Sequence, residues 1–283
     1  MANKVDLHIH TTASDGTDTP AELIEKIRAA GIVTFAISDH DSIQGALEAE
    51  KLDTTGLSFI KAIEFSCITT YGRCHILGYN YDEKNPDFKR TIEYGTEIRE
   101  KKLEERLKFL SKEFSIDFSE EEKQQLRNTK SVGKPHIARM LMKKGYGETV
   151  DGTIKEYINK CPTSVKRLSA EQAISAINAS GGIAVLAHPL GGEGEKVVPK
   201  DVFEQRLEEL ISYGLKGLEC YYSRYDDEKI EFLKQHAKKH SLLISGGSDY
   251  HGKNKTIELG TICADGGEVD PEELTVLSKI LNK

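Results

Sequence analysis

Histidines and carboxylates in this chain fall at spacings suited to metal chemistry. Asp6-Leu7-His8-Ile9-His10 opens the set, and Asp15, His40, Glu64, His75, His188 and Asp249-Tyr250-His251 continue it. Six of the nine histidines belong to this set, most of them where a strand should end or turn. Imidazole and carboxylate together suit first-row divalent ions. The pattern therefore points to a multinuclear metal site and an enzyme. His8 and His10 alone would equally fit two surface histidines on an edge strand. The later residues decide against that, because unselected histidines would mostly decorate helices.

The elements that must position these residues alternate. Val5, Leu7 and Ile9 face one way and Asp6, His8 and His10 the other, since strand side chains repeat every two residues. Thr19-Pro20-Ala21-Glu22 reads as a capped helix start, with the helix running to Gly31. Residues 32–37 read as a second strand ending at Ser38-Asp39-His40-Asp41, and a helix follows over 42–51. Residues 57–63 read as a strand ending at Glu64, and residues 69–73 as a hairpin turn into a strand carrying His75. From 85 to about 162 the chain is Lys-, Arg- and Glu-rich with an apolar stripe at Leu103, Leu107, Leu110 and Phe114. The alternation then resumes: helix 169–180, strand 183–187 before His188-Pro189, helix 203–213, strand 217–220, helix 226–240, strand 242–245, a last strand at 257–263, and a final helix from Pro271. Strand–helix repeats predict an α/β fold with a parallel sheet and crossover helices. In a β/α barrel the C-terminal strand ends form the active rim.

Composition narrows the class. The chain has 283 residues, 38% hydrophobic and 30% charged, with a net charge of −7. That length allows one large domain or a domain with an insertion. The acidic balance argues against a general nucleic-acid coat, although a local basic pocket can still hold phosphate. No apolar run reaches the ~20 residues of a membrane span, and with Asp6-Leu7-His8 so near the start no signal peptide is expected. The five cysteines, Cys67, Cys74, Cys161, Cys220 and Cys263, form no Cys-x-x-Cys pair. Reduced thiols and a cytoplasmic location are expected.

The order and spacing of Asp6-Leu7-His8-Ile9-His10, Ser38-Asp39-His40-Asp41, Glu64 with His75, Ala187-His188-Pro189 and Ser248-Asp249-Tyr250-His251 resemble the motifs of the PHP (polymerase and histidinol phosphatase) family. The resemblance spans the chain apart from its helical middle. It implies a distorted (β/α)7 barrel formed by residues 1–84 and 165–283, with 85–164 as a helical insertion capping the active site. It implies two or three divalent ions (Mn, Fe, Zn or Mg). His8, His10, Glu64 and Asp249 would hold one, Glu64, His75 and His188 a second, and Asp15, His40 and His251 a third. Asp15 stands where the family often has His, and this harder ligand leans toward iron, manganese or magnesium. Asp6, Asp39 and Asp41 are expected to orient the imidazoles from behind. The implied reaction is hydrolysis of a phosphate ester by a metal-bridged hydroxide, with Asp249 or His251 as candidates to relay a proton. No Gly-x-Ser-x-Gly elbow competes with this reading.

The substrate should be set by the middle segment. Lys134-Pro135-His136-Ile137-Ala138-Arg139 opens a helix with His136 and Arg139 on one face, and arginine forks match phosphate oxygens. The segment resembles the one that the nucleotide-phosphatase and 5′-to-3′-exonuclease branch closes over its substrate. Lys166-Arg167 and Ser223-Arg224 match that branch's polar phosphate contacts. The expected substrate-binding residues are Lys134, His136, Arg139, Arg167, Ser223 and Arg224. Tyr221 and Tyr222 suit either packing or base stacking, and His236 and His240 read as surface histidines. The expected substrate is a small phosphorylated nucleotide, either a nucleoside 5′-monophosphate or 3′,5′-bisphosphate. Short 5′-phosphorylated oligonucleotides also fall within reach. Neither a membrane nor a stable nucleic-acid partner is expected. Histidinol phosphate is the alternative substrate, and a non-catalytic polymerase-associated module the alternative class.

Overall fold

The computed structural model describes residues 4–281. Strand β1 (Lys4–Ile9) leads to α1 (Pro20–Ala29), β2 (Ile32–Ile37), α2 (Gln44–Ala49) and β3 (Ser58–Thr69), which turns back as β4 (Gly72–Tyr79). Four helices follow: α3 (Pro86–Phe114), α4 (Glu120–Arg127), α5 (Lys134–Lys143) and α6 (Val150–Glu156). The chain then runs through β5 (Leu168–Ser169), α7 (Ala170–Ala179), β6 (Ile183–Ala187), α8 (Lys200–Ser212), β7 (Gly217–Tyr222), α9 (Asp227–Lys239), β8 (Leu243–Gly247) and α10 (Val276–Leu281). The start of α1 follows its sequence signature. Thr19 caps the Glu22 amide, the Glu22 carboxylate accepts the Thr19 amide at 2.8 Å, and Pro20 fills the first turn.

The strands order as β1-β2-β3-β4-β6-β7-β8, with β5 added beside β3. Both pairings of β4 are antiparallel and the other pairings are parallel. Past β8 the chain returns to β1: the Asp249 amide donates to the His8 carbonyl at 2.8 Å and the His10 amide to the Tyr250 carbonyl at 2.9 Å. The sheet is a nearly closed, distorted barrel, as expected. Its distortion is β4, the one strand running against its neighbours. Gly247 sits at the seam, where an added Cβ would lie 2.2 Å from the His8 Cβ.

Three sequence expectations need correction. β3 does not end at Glu64 but continues to Thr69, because the hairpin with β4 extends it beyond the barrel. Parallel pairing with β2 stops near Lys61, so Glu64 still marks where the barrel layer ends. Residues 257–263 form no strand. Ile257, Ile262 and Cys263 are buried, but the backbone bonds locally in turns, and the Gly260 amide donates to Asp6 at 2.9 Å. The apolar run packs without a ladder. Pro271 opens a 3₁₀ turn (Pro271–Glu273), and the last helix starts only at Val276.

One hydrophobic cluster fills the barrel and a second packs α1 against β1 and β2. A third lies within residues 103–158, where Leu103, Leu107 and Leu110 of α3 meet Ile137 and Leu141 of α5. Gly95 lets α3 press against Asp41, with an added Cβ only 3.3 Å from the Asp41 Cβ. Among the described residues no helix is long and apolar enough to cross a membrane.

Gly247→Ala should lower unfolding stability by about 1–3 kcal/mol, the usual cost of overpacking, because the new methyl must push β8 away from β1. A shift of the urea midpoint at unchanged slope would register it. An unchanged midpoint would mean that the seam is looser than described.

Candidate metal centre

The two-residue period of β1 places His8 and His10 on one face, their Nε2 atoms 3.1 Å apart. Glu64 lies between them and the rest of the rim. Its Oε2 is 3.3 Å from His8 Nε2, 3.2 Å from His10 Nε2 and 2.9 Å from His40 Nδ1. Its Oε1 is 3.0 Å from His75 Nδ1 and 3.1 Å from His188 Nε2. Asp249 Oδ1 stands 3.6 Å from His8 Nε2 and 3.5 Å from His10 Nε2. His251 Nε2 is 3.3 Å from Asp15 Oδ1, which is 3.9 Å from His10 Nδ1.

All nine expected metal-ligand residues thus meet on one rim. They group as His8, His10 and Asp249; His40, Glu64 and His75; and His10, Asp15, His40 and His251. His10 therefore reaches toward two groups, and His40 sits on Glu64 as well as near Asp15. A fourth group adds Glu195 to His75 and His188.

The donor set fits divalent cations. Asp15 Oδ1, His40 Nδ1 and Glu64 Oε2 are buried without a hydrogen-bond partner, a costly state for polar atoms. His40 Nδ1 and Glu64 Oε2 are close yet misaligned for a hydrogen bond. Two ligand bonds of about 2.1 Å at a right angle would separate N from O by about 3 Å, the spacing seen around Glu64. Burial pushes the Glu64 carboxyl up, but the surrounding imidazoles outweigh it and hold it well below the usual range. Burial, with His251 and His40 beside it, keeps the His10 imidazole well below its ordinary value. A neutral imidazole and an ionised carboxylate are the ligand-competent forms.

The buttressing differs from expectation. Asp6 accepts the Ser248 hydroxyl at 2.6 Å and amide at 2.9 Å. Asp39 accepts Thr11 Oγ1 at 2.7 Å and Ser14 Oγ at 2.5 Å. Asp41 accepts Arg99 Nε at 2.6 Å and the Ser66 amide at 3.0 Å. These three carboxylates anchor the rim loops and helix α3, not the imidazole nitrogens. The carboxylates on the rings are Glu219, 2.8 Å from His8 Nδ1, and Glu195, 3.2 Å from His188 Nδ1. Glu219 also accepts the His188 amide at 2.6 Å, which holds that residue at φ +27°, a conformation costly for a non-glycine residue. A lone acid inside the apolar strand Gly217-Leu218-Glu219-Cys220 was the overlooked signal. Glu195 lies in a glycine-rich loop, and nothing in the sequence marks it.

Asp249 Oδ2 accepts Tyr222 Oη at 3.0 Å and Lys255 Nζ at 2.5 Å, and His251 Nδ1 lies 2.8 Å from the Asp249 carbonyl. Both proton-relay candidates are therefore largely engaged within the cluster. The rim opens into a cavity of about 940 Å³, whose walls include Lys134 and Arg167. The other expected substrate residues are not part of that lining. His136 Nδ1 accepts the Gly133 amide at 2.9 Å. Arg139 donates to Asn254 at 2.7 Å, and Asn254 in turn donates to the Asp15 carbonyl. Arg224 pairs with Glu193 at 2.8 Å, and Ser223 Oγ is buried without a partner. Tyr221 and Tyr222 are both buried. Tyr221 Oη donates to Glu273 at 3.0 Å and Tyr222 Oη to Asp249, so both act in packing.

The PHP domain model matches residues 6–177, from Asp6 into α7. The chain belongs to the PHP domain family. His188, Asp249 and His251 complete the centre from outside the matched span. A 5′-3′ exoribonuclease of Haemophilus influenzae is 32% identical over 92% of this chain and 94% of its own length. A 3′,5′-nucleoside bisphosphate phosphatase of Chromobacterium violaceum is 28% identical over 89% of this chain and 88% of its own. A crystal structure of a Bifidobacterium adolescentis protein, assigned as a metal-dependent phosphoesterase, superposes with a TM-score of 0.80 at 27% identity, covering 100% of this chain and 99% of that one. Family and relatives make this PHP protein a metal-dependent phosphoesterase.

Glu219→Gln should weaken metal affinity by about 10–100-fold, the usual effect of losing a carboxylate behind a ligating imidazole. Competition with a chromophoric chelator measures it. Wild-type affinity in the variant would deny Glu219 that role.

Proposed function

We propose that this PHP protein hydrolyses phosphate monoesters of small nucleotides, namely nucleoside 5′-monophosphates or 3′,5′-bisphosphates. Short 5′-phosphorylated oligonucleotides are the largest substrates the reading admits. One observation carries it: the Glu64-centred donor set opens into a cavity whose volume of about 940 Å³ is that of a small-ligand site. The similarity to the bisphosphate phosphatase and the exoribonuclease supports nucleotides as the substrate class.

The centre fits two or three divalent ions of manganese, iron, zinc or magnesium, with Asp15 favouring the harder ones. Such ions would lower the pKa of a water and neutralise the phosphoryl oxygens. Around them the chain's residues divide the remaining work. Glu64 offers one oxygen to each side of the centre. Lys255 pairs with Asp249 and lines the cavity, where it would place a cation near a phosphoryl group held at the centre. Lys134 and Arg167 extend the positive wall. We assign residues 85–164 the role of a cap, since Pro135 and Met142 of α5 and Ile154 of α6 line the cavity opposite the rim. We place the enzyme in the cytoplasm, in keeping with its free cysteines, and without a stable nucleic-acid partner.

The cationic wall also disfavours histidinol phosphate, whose ammonium would face Lys134 and Arg167. A non-catalytic module has no use for a ligand set this complete. Manganese-loaded protein should release phosphate from AMP and adenosine 3′,5′-bisphosphate, stop on chelation, and act on histidinol phosphate at least about 100-fold more slowly. His8→Ala should cut nucleotide turnover by at least about 100-fold. Equal rates on histidinol phosphate and nucleotides would sink the substrate reading.

A further inference from the structure

The ligand groups of the metal centre are not all held in the same way. His8, Glu64 and His75 lie inside β1, β3 and β4, where neighbouring strands fix the backbone. Asp15, His40 and His251 lie in the loops that follow β1, β2 and β8, apart from one bridge of His40 to Glu64. Ordering a loop costs conformational entropy, so ligands placed there need fastenings of their own.

Much of that fastening comes from residues 85–164. Asp39 pins the start of the β1 loop at Thr11 and Ser14, but the Asp15 carbonyl is taken by the side-chain amide of Asn254. The Asn254 backbone amide donates to the His251 carbonyl at 3.4 Å, so this one residue joins two of the three loops. Its Oδ1 accepts Arg139 Nη1 of α5 at 2.7 Å. Ser131, just before α5 and 1% exposed, donates its hydroxyl to the His40 carbonyl. The chain then passes the Asp15 carboxylate, where a Cβ added to Gly133 would lie 3.7 Å from Asp15 Oδ2. Asp41, the residue after His40, accepts Arg99 of α3 at 2.6 Å. By contrast, among the described residues no hydrogen bond, ion pair or ring contact joins residues 85–164 to His8, Glu64, His75, His188 or Asp249. Asp15 Oδ1 and His40 Nδ1 are buried without a hydrogen-bond partner, and both belong to the group completed by His10 and His251. The fastenings thus hold bare ligand atoms around one point.

We propose that Ser131, Arg139 and Asn254 are positioning residues for the ion held by Asp15, His40 and His251, and that docking of the helical segment and occupancy of that position form one coupled equilibrium. This rests on the metal-dependent phosphoesterase reading and deepens it. Such coupling is reciprocal. The docked segment strengthens binding of that ion, and the ion tightens docking of the segment by the same factor. Ions held by the strand residues stand outside the coupling. One position of the centre is therefore fully ordered only while the segment is seated on the rim.

The test is stepwise manganese binding by the full chain, measured by equilibrium dialysis with metal analysis. Asp15→Asn should remove one binding step and so identify it. Arg139→Met and Ser131→Ala should each weaken that same step about 10-fold, the scale of one hydrogen bond to a charged or buried partner, and leave the other steps unchanged. Arg139→Lys, which keeps a cationic donor, should recover part of the loss. Reciprocally, manganese sufficient to fill that step should slow amide hydrogen exchange across α5 in wild type but not in Asp15→Asn. Equal weakening of every step in the Arg139 and Ser131 variants, or none, would overturn the coupling and leave the metal centre standing. So would an Asp15→Asn chain that loses no step, or α5 exchange in wild type that is indifferent to manganese. A wild type that binds no manganese and releases no phosphate from AMP would instead bring down the phosphoesterase reading and the coupling with it.

Discussion

One carboxylate organises the molecule. Glu64 has no exposed surface, and five imidazole nitrogens face its two oxygens at 2.9–3.3 Å. A charge in that position is tolerable only where opposite charge converges on it. The imidazoles come from β1, β4 and the loops after β2 and β6, so meeting this demand requires the whole rim to close around one point. The rim loops are correspondingly tied down by buried carboxylates. Asp6 fixes the turn after β8, Asp39 the loop after β1, and Asp41 the first half of α3. Three of the six described non-glycine residues with positive φ, Asp41, His188 and Asp249, belong to the site or its anchors, and that conformation costs energy.

The antiparallel strand has the same origin. In an all-parallel barrel the C-terminal strand ends supply the rim. β4 runs the other way, so its early residues reach that rim instead. His75 pairs across from Ser66 on one side and Ala187 on the other, which brings it level with His188 and within reach of Glu64. The hairpin thus distorts the barrel and delivers His75 to Glu64 in one step. It also carries Arg73 to the cavity on the same strand face.

The sequence spoke clearly where chemistry and periodicity coincided. His8 and His10 are readable because two polar side chains share a strand face whose opposite face is apolar. Of the nine expected ligand positions, Asp15, His40, His188, Asp249 and His251 lie in the turns that follow strands, whereas His8, Glu64 and His75 lie within strands. What lay hidden depended on where folding places a partner, whether near or far along the chain. Glu219 and Glu195 contact His8 and His188 across 211 and 7 positions of sequence, and only folding shows that they, not Asp6, Asp39 and Asp41, sit behind the rings. Arg139 was expected to face phosphate because arginine usually does. Its bond to Asn254 instead makes it a prop for the Asp15 loop, a role that depends on where α5 packs. Residues 257–263 illustrate the opposite error, since a buried apolar run need not be a strand when its backbone can be satisfied in turns.

Charge is the quantity that composition described least well. A net charge of −7 suggests a protein that repels phosphate, yet its cavity is walled by arginine and lysine. The conflict is one of scale. Surface acids act through water and are screened within about 10 Å at ordinary ionic strength, whereas charges lining one cleft act together over short distances. The acidic exterior can aid solubility without cancelling the field inside. The same cavity is lined by cations of α3 and β4 and by the histidine and carboxylate cluster, and a negative cluster attracts an anion only once cations occupy it. Selectivity for phosphate and dependence on metal are therefore two consequences of one arrangement, a buried anionic centre set beneath a cationic wall.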